Sequence, residues 1–282
     1  MATIASLHLY PVKSCAGIAL SGAVLGPAGL ESCGVADREW MVVEATSGMF
    51  RTQRQLPRMA LIATAIADGA LLLTAPEMPA LRVPLDTHTG KTPTLAVRVW
   101  DHACKAFDEG DDAARWLSDF LGAAMRLVRF DPAHRRLSSP EWTGAVEARN
   151  RFSDGFPILM ISEASLADLN DRLRKADRAP LPMNRFRPNL VLSGVGPYAE
   201  DHLDTLSGEG FRLRPVKPCP RCPIPSIDQA TGERGPDPLD ILTLYRQEAR
   251  TGGVVFGQNV IVQTGIGRTL RVGMALAEEW NF

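Results

Sequence analysis

The chain has 282 residues, of which 45% are hydrophobic and 22% are charged, and its formal net charge is −1. This composition predicts a globular protein with a substantial apolar core, and the near-zero charge argues against a strongly basic or acidic binding protein. We therefore expect no nucleic-acid polymer and no membrane among its partners. Five cysteines are too few for a disulfide framework, and their odd number leaves at least one thiol free, which favours a reducing compartment, the cytoplasm.

The N-terminal residues show no targeting pattern. Residues 1–10 alternate between apolar and polar side chains, and they lack both the basic region and the long apolar run of a signal peptide. Elsewhere no segment approaches the roughly 18 uninterrupted apolar residues of a membrane-spanning helix. We interpret residues 3–10 as the first strand.

Short apolar segments separated by glycine and proline turns dominate residues 11–130. Such a spacing of strands and turns is typical of a β-barrel or a β-sandwich. One helix interrupts the pattern at residues 111–121, where Trp116, Leu117 and Phe120 share a helical face. The predicted strands of this part are residues 40–43, 50–54, 61–67, 71–74, 81–85, 95–100 and 125–130.

Residues 131–150 are polar and irregular. We predict that they form a linker between a domain at 1–130 and a second domain at 151–282. We also expect this stretch to build the walls of a binding pocket, because its composition encodes no regular element.

The second domain begins with an apolar strand at 158–161 that runs into Ser162. Ser162 suits a helix N-cap, which is most often a structural role but is also compatible with an anion cradle. Period-two spacing places Arg185, Arg187 and Asn189 on one side of a strand, where they need water or an anionic ligand as a partner. The remaining predicted elements are strands at 190–192, 211–216, 254–256, 258–263 and 269–276 and a helix beginning at 237–240. Together these segments predict a β-rich α+β fold.

The segment Cys219-Pro220-Arg221-Cys222 contains two of the five cysteines, three residues apart. Prolines at 218, 220, 223 and 225 predict a stiff loop, neither helix interior nor central strand. The arginine places a cation beside a thiol, which favours the thiolate form that attacks electrophiles and binds metals.

The residues alone leave four interpretations of this pair open. A zinc site needs about four ligands, and the five histidines are scattered without ligand spacing. A thioredoxin-type pair lies at a helix N-terminus, and the prolines after Cys222 disfavour a normal helix. A structural pair of buried thiols needs no further feature. In the fourth interpretation a single cysteine binds a cofactor-borne metal, and Arg221 serves the charge of the cofactor.

Several short motifs stand in one order along nearly the whole chain. In the first domain they are Tyr10-Pro11-Val12-Lys13-Ser14-Cys15, Gly29-Leu30, Asp37-Arg38-Glu39-Trp40-Met41-Val42-Val43, Thr52-Gln53-Arg54 and Pro57-Arg58. In the second domain they are Ile161-Ser162-Glu163-Ala164-Ser165-Leu166, Phe186-Arg187-Pro188-Asn189, Cys219-Pro220-Arg221-Cys222, Asp228, Thr231-Gly232, Leu244-Tyr245-Arg246 and Phe256-Gly257-Gln258-Asn259. This ordered set resembles MOSC-domain proteins with a MOSC N-terminal β-barrel domain, in particular the mitochondrial amidoxime-reducing component and bacterial YcbX-type families.

The resemblance implies an N-terminal β-barrel-like domain followed by a MOSC β-barrel domain with a few peripheral helices. It implies a molybdenum cofactor, Mo-molybdopterin without an added nucleotide, bound between the two domains. Cys222 would be the catalytic residue and the sulfur ligand of the metal, whereas Cys219 would be only a neighbour. By motif match, the cofactor-binding residues would be Lys13, Ser14, Arg38, Ser162, Arg187, Asn189, Pro220, Arg221, Cys222 and Asn259.

Two positions depart from the family pattern. Pro220 stands where close relatives often carry serine, so that a hydroxyl and an N–H are missing and one cofactor contact is lost or replaced. Asn259 stands where the mitochondrial proteins have tyrosine, which alters the pocket. Neither departure touches the sulfur ligand.

The implied activity is the reduction of small N-hydroxylated substrates, in which an N–OH group loses oxygen and gives an amine or amidine. A plant-type iron–sulfur domain needs Cys-x4-Cys-x2-Cys. The chain lacks this spacing, so we expect a separate electron donor of ferredoxin or flavoprotein type. The resemblance also carries a family-level expectation of pyridoxal phosphate binding. The alternative is a sulfur-carrier or cofactor-carrier module that uses Cys222, because MOSC domains also occur in cofactor sulfurases.

Overall fold

Strands dominate the structure, a computed structural model that describes residues 1–86, 88 and 92–281. The first part of the chain forms β1 (Ala2–Leu9), β2 (Ile18–Leu20), β3 (Gly22–Gly26), β4 (Gly29–Ser32), β5 (Val35–Ala36), β6 (Trp40–Glu44), β7 (Ala63–Ala67), β8 (Ala70–Thr74), β9 (Leu81–Pro84), β10 (Leu95–Val99), β11 (His102–Asp108), α1 (Asp111–Leu121) and β12 (Met125–Phe130). The second part forms α2 (Pro140–Thr143), β13 (Ile158–Ser162), α3 (Glu163–Lys175), β14 (Leu190–Ser193), β15 (Leu203–Gly208), β16 (Phe211–Pro220), α4 (Leu239–Thr243), β17 (Gln247–Glu248), β18 (Gly253–Thr264), β19 (Thr269–Arg271) and β20 (Ala275–Trp280). The predicted β-rich α+β fold is confirmed. No helix in the described ranges is long and apolar enough to span a membrane.

Seven strands form a closed barrel. Their order is β13, β14, β1, β20, β15, β16 and β18, and β18 returns to pair with β13. Ile4, Leu7, Leu192 and Val260 are fully buried in one apolar core with side chains from the other strands. Burial of such side chains is the main stabilising contribution, about 1.5–3 kcal/mol for each one.

Three smaller sheets complete the fold. Their strand orders are β10-β11-β12-β6, β19-β3-β4-β5 and β7-β8-β9. Strands from the two predicted domains share sheets, because β1 pairs with β14 and β20 in the barrel and β3 pairs with β19. The division of the chain at residues 131–150 stays a prediction.

The strand that carries the cysteine pair is longer and less regular than expected. β16 pairs with β15 over residues 211–213 and with β18 from Arg212 to Pro220, and its register with β18 shifts three times. Two of the shifts flank Pro215 and Pro218. The residues left unpaired at these two shifts are Val216 and Cys219, each next to a proline that cannot donate to the ladder. The prediction of a loop is therefore wrong for Cys219 and Pro220, which end a strand.

Most other sequence-predicted elements are confirmed, including the helix Asp111–Leu121 and the strand Met125–Phe130. Two predicted strand segments are wrong. Residues 185–189 do not form a strand, because Met183–Arg185 is a 3-10 helix and Arg187 has φ +58°. The other segment is residues 50–54. Phe50 makes one isolated bridge, to Val43, and the chain then turns because Thr52 O accepts the N–H groups of Gln55 and Leu56. The predicted strands 254–256 and 258–263 are a single strand, β18, and the predicted strand 269–276 is two strands, β19 and β20.

A matched pair of glycine substitutions tests the packing of β18 against β13. Gly257 has φ +81°, and an added Cβ would lie 2.6 Å from Ile161 Cγ1 and 2.7 Å from Met160 O. We expect Gly257→Ala to lower the free energy of unfolding by about 3 kcal/mol or more, from backbone strain plus overpacking. Gly252→Ala is the control, because Gly252 has φ +68° with open space around it, and it should lose only about 1 kcal/mol. Urea unfolding measures both, and equal losses would contradict the packing argument.

Candidate functional site

A cavity of about 830 Å³, part of it open to solvent, lies where the ends of β16, β18 and β14 meet residues from the first part of the chain. Nine of the ten sequence-predicted cofactor-binding residues line it: Lys13, Ser14, Arg38, Arg187, Asn189, Pro220, Arg221, Cys222 and Asn259. The structure thus brings together side chains that are up to 246 positions apart (13 to 259) in sequence.

Ser162 is the predicted residue that does not reach the cavity. Its hydroxyl caps α3 by accepting the Ser165 N–H at 3.0 Å, and it lies 2.7 Å from the Ser165 hydroxyl. Ser162 N donates to buried Glu200 at 3.0 Å. The side chain is fully buried and occupied by these partners, so the structural reading of this serine, a helix cap, fits the geometry.

The cavity is strongly cationic although the chain as a whole is nearly neutral. Lys13, Arg38, Arg54, Arg187 and Arg221 line it, and the one lining carboxylate is that of Asp154. Lys13 pairs with Asp154 at 2.6 Å, and Arg38 pairs with Asp37. In the part of the chain that the structure describes, the other three guanidinium groups make no ion pair. A concentration of unpaired cations in a cleft favours an anionic ligand.

Lys13 is anchored at the base of the cavity. Its ammonium donates to the carbonyl of Phe152 at 2.8 Å and to Asp154 Oδ1 at 2.6 Å. Lys13 is only 5% exposed, and burial lowers its pKa, an effect that Asp154 partly offsets. Asp154 itself is open to solvent and also accepts the indole N–H of Trp100 at 2.9 Å. These contacts bind the turn at residue 13 to the segment around residue 154.

Two guanidinium groups share the buried ring of Tyr10. The Arg38 carbon lies 4.3 Å from the ring centroid and the Arg187 carbon 4.4 Å. Burial, reinforced by the nearby Arg38 charge, lowers the pKa of Arg187 to about 10. Arg187 Nη2 is buried and has no hydrogen-bond partner among the described residues. A buried, unpartnered donor on a charged group is costly, and a bound anion would relieve that cost.

The side-chain amide of Asn189 uses its whole hydrogen-bonding capacity within the protein. It donates to Asp37 Oδ1 at 2.9 Å and to His8 O at 3.2 Å. It accepts from Arg38 Nη1 at 3.0 Å and from Leu159 N at 3.1 Å. An asparagine amide can make about four such bonds, so Asn189 serves the site by orienting Arg38.

Arg221 contacts Cys219, not the cysteine that follows it. Its Nη1 donates to Cys219 Sγ at 3.3 Å and its Nη2 to Phe186 O at 3.0 Å, while its Nε is buried without a partner among the described residues. Burial raises the pKa of the Cys219 thiol, and Arg221 offsets only part of that rise. The sequence placed this cation beside the thiol of Cys222, whereas its hydrogen bond goes to Cys219. Both Cys219 and Cys222 line the cavity and are partly exposed.

Four lining residues have left-handed backbone conformations. The φ angles are +67° at Ser14, +48° at Arg38, +53° at Trp100 and +58° at Arg187. Each such residue costs about 1–2 kcal/mol relative to ordinary backbone. Strain of this kind concentrates at binding and catalytic sites. Amino-acid identity gives no sign of it, because none of these four is the glycine or asparagine that usually marks the conformation.

Sequence reasoning missed part of the cavity wall. Residues 131–150 do not line the cavity, so the expectation that they build its walls is wrong. The walls outside the predicted set come from Thr52, Arg54, Trp100, Ser153, Asp154, Gly155, Phe156, Leu159, Phe186, Cys219 and Ile224. The Thr52-Gln53-Arg54 motif indicated one of these segments.

Gln53 holds this motif at the cavity. It is fully buried and pairs reciprocally with Gln229 at 3.0 and 2.9 Å, which fixes the turn at 52–54 against the loop that follows the cysteines.

Two family models match the chain. One is the MOSC N-terminal beta barrel domain, over residues 1–124, and the other is the MOSC domain, over residues 147–276. The chain therefore belongs to the MOSC family and carries the N-terminal barrel domain of that family.

Within the family, the chain is similar to named proteins over most of its length. It is 37% identical to mitochondrial amidoxime-reducing component 1 of Homo sapiens, over 96% of this chain and 81% of that protein. It is 36% identical to the Mus musculus protein of the same name, over 96% of this chain and 80% of that protein. It is also 31% identical to molybdenum cofactor sulfurase of Danio rerio, over 90% of this chain but only 31% of that protein. The sequence-based resemblance is confirmed, and a role related to the molybdenum cofactor is supported.

The residues present fit such a cofactor. Molybdopterin carries a phosphate, and the cavity supplies the guanidinium groups of Arg187 and Arg221, which have no carboxylate partner among the described residues. Arg187 Nη2 and Arg221 Nε are buried donors without partners among the described residues, as expected where an acceptor belongs. Two thiols in the same cavity provide the soft donor that such a metal prefers.

Ser162 can be tested as a cap rather than a ligand. We expect Ser162→Ala to lower the free energy of unfolding by about 1–2 kcal/mol, because the Ser165 N–H loses its acceptor. The molybdenum content per chain should stay unchanged, since the side chain does not reach the cavity. Ser162→Thr is the control, because it retains a capping hydroxyl. Loss of molybdenum without loss of stability in Ser162→Ala would show that Ser162 acts on the cofactor after all.

Asn189 is expected to be far more sensitive. Asn189→Ala removes one hydrogen bond from each of the four partners of the buried amide, so we expect a loss of about 3 kcal/mol or more in unfolding free energy. Molybdenum content should fall as well. The control is Asn170→Ala, which breaks two hydrogen bonds to Leu181 far from the cavity and should lose only about 1–2 kcal/mol with normal molybdenum. Similar results for the two variants would contradict the special role of Asn189.

Proposed function

We propose that this protein is a molybdenum-cofactor-dependent oxidoreductase that reduces small N-hydroxylated compounds with electrons from a separate donor. The observation that carries the proposal is one cavity lined by Cys222 and by the guanidinium groups of Arg187 and Arg221, which lack carboxylate partners among the described residues. Support also comes from the similarity to amidoxime-reducing components over nearly the whole chain.

When bound, the cofactor supplies the redox chemistry, in which N–OH, two electrons and two protons give N–H and water. The chain's own residues bind, orient and shield. Arg187 and Arg221 offer their unpartnered donors to its anionic groups, and Lys13, Ser14 and Arg38 complete the binding surface. Such fixed donors orient the cofactor as well as compensating its charge. We propose Mo-molybdopterin without an added nucleotide as the form of the cofactor, and the mass of the pterin released from the protein tests this.

Cys222 is the proposed sulfur ligand and catalytic residue, and Cys219 is not. Burial raises the pKa of the Cys219 thiol, which disfavours the thiolate form that binds metals. Cys219 instead accepts the Arg221 N–H and holds that guanidinium toward the cavity.

The electron donor is proposed to be a separate ferredoxin-like or flavoprotein-like partner. Its identity does not follow from the described residues. The cytoplasmic location stays a prediction, because the two amidoxime-reducing relatives are named as mitochondrial proteins.

The match to a molybdenum cofactor sulfurase favours a second candidate function, that of a sulfur or cofactor carrier that uses Cys222. The two functions differ in what the purified protein holds. An oxidoreductase from a host that makes the cofactor should contain stoichiometric molybdenum and turn over benzamidoxime with an artificial reductant. A sulfur carrier should contain cyanide-releasable sulfur on Cys222 and no metal.

The two cysteines provide a matched pair for testing the proposal. We expect Cys222→Ser to lose molybdenum and to reduce benzamidoxime at least about 100-fold more slowly, because the sulfur ligand is gone. Cys219→Ser keeps an acceptor for Arg221, so it should retain molybdenum and lose about tenfold in rate or less, as for a supporting residue. Metal analysis and steady-state rates measure both. Equal losses in the two variants would point to a two-thiol site instead.

A further inference from the structure

Arg54 and Trp100 line the cavity but lie outside the proposed cofactor-binding set. The Arg54 guanidinium carbon is 4.4 Å from the centroid of the Trp100 ring, a stacking distance. The Trp100 ring also packs at 5.1 Å against Phe50. Trp100 is 38% exposed, unlike the fully buried Trp40, so this stack is at the open side of the cavity.

The backbone conformation of Trp100 is unusual for a residue with a bulky side chain. Trp100 and Asp101 form the two-residue connection between β10 and β11, with Val99 paired to His102. The φ of Trp100 is +53°, a conformation that such connections usually assign to glycine or asparagine. A bulky residue in that position is a backbone outlier that the surroundings must stabilise. The Trp100 N–H bond to Asp154 at 2.9 Å does so and fixes the plane of the ring.

Arg54 is held from its other side. Its Nε donates to Thr52 Oγ1 at 3.3 Å, and its carbonyl accepts Arg234 Nη2 at 2.9 Å. With Nε occupied and one surface on Trp100, the guanidinium is a flat, fixed group on the cavity wall. A planar guanidinium of this kind stacks on planar conjugated groups, which the compact ammonium of lysine does not do.

We propose that the Arg54–Trp100 stack is the substrate-recognition platform of this cavity, selecting N-hydroxylated compounds whose N–OH carbon is conjugated to an aromatic ring. The proposal rests on the proposed function and names the substrate class for it. A saturated substituent of similar size lacks the π-face, so it gains less from the platform. Arg54 and Trp100 are thus specificity-determining residues, and the reaction itself does not depend on them.

The test compares benzamidoxime with cyclohexanecarboxamidoxime, which carry the same reacting group on an aromatic and a saturated ring. In the molybdenum-loaded wild type, kcat/KM should favour benzamidoxime. Trp100→Gly suits the φ of +53° and removes the ring, and Arg54→Lys keeps the charge but removes the planar group. Each should reduce the preference by about 3- to 30-fold, mainly through KM for benzamidoxime. Trp100→Phe retains a ring and should retain most of the preference.

Arg58→Lys is the matched control. Arg58 also stacks on an aromatic ring, that of Phe120 at 4.4 Å, but it does not line the cavity. Its substitution should leave the preference unchanged. An active wild type whose preference is the same in Trp100→Gly and Arg54→Lys would overturn the platform.

Calorimetric binding of benzamidoxime separates this proposal from the proposed function. If the wild type binds benzamidoxime but reduces neither compound, the proposed function fails. Weaker binding by Trp100→Gly and Arg54→Lys, with unchanged binding by Arg58→Lys, would still support the platform. Unchanged binding in all three variants would overturn it.

Discussion

The hydrogen-bonded amide of Asn189 is the constraint on which the rest of the site depends. Its four bonds join the end of β1, the turn at Asp37 and Arg38, and β13 through Leu159. Because the amide is buried, any movement of one partner leaves a polar group unsatisfied. The residues from the first part of the chain therefore cannot shift independently of the barrel, and the cavity between them has a defined shape.

The hydrogen bonds around Asn189 form a rigid frame, and this frame holds together two positive charges that would otherwise move apart. Arg38 and Arg187 lie on the same Tyr10 ring, and both have left-handed backbone conformations. Like charges at close range repel, and strained backbone adds to the free energy of the empty site. The frame holds both in place, and a bound anion would offset the repulsion between the two charges. A preorganised site of this kind exchanges some stability of the empty protein for affinity and orientation.

The sequence predicts what local chemistry determines and what the family pattern carries. The helix Asp111–Leu121 follows from its apolar period and its flanking residues, and the cap at Ser162 follows from a serine before a helix. Nine cavity residues follow from resemblance, not from spacing. Trp100 was beyond reach, because its role depends on a positive φ and on Asp154, a contact 54 positions away. Likewise, no local rule shows that Arg221 turns toward Cys219.

The contact between Arg221 and Cys219 changes how the cysteine pair is interpreted. Arg221 and Cys222 are adjacent in sequence, which suggests a thiol activated by its neighbour, yet the guanidinium contacts Cys219, two residues before it. Cys219 accepts the Arg221 N–H, and burial raises the pKa of its thiol, whereas Cys222 lies past the end of β16 in the cavity wall. The two cysteines therefore have different surroundings, and this difference is why Cys222 rather than Cys219 is the proposed sulfur ligand.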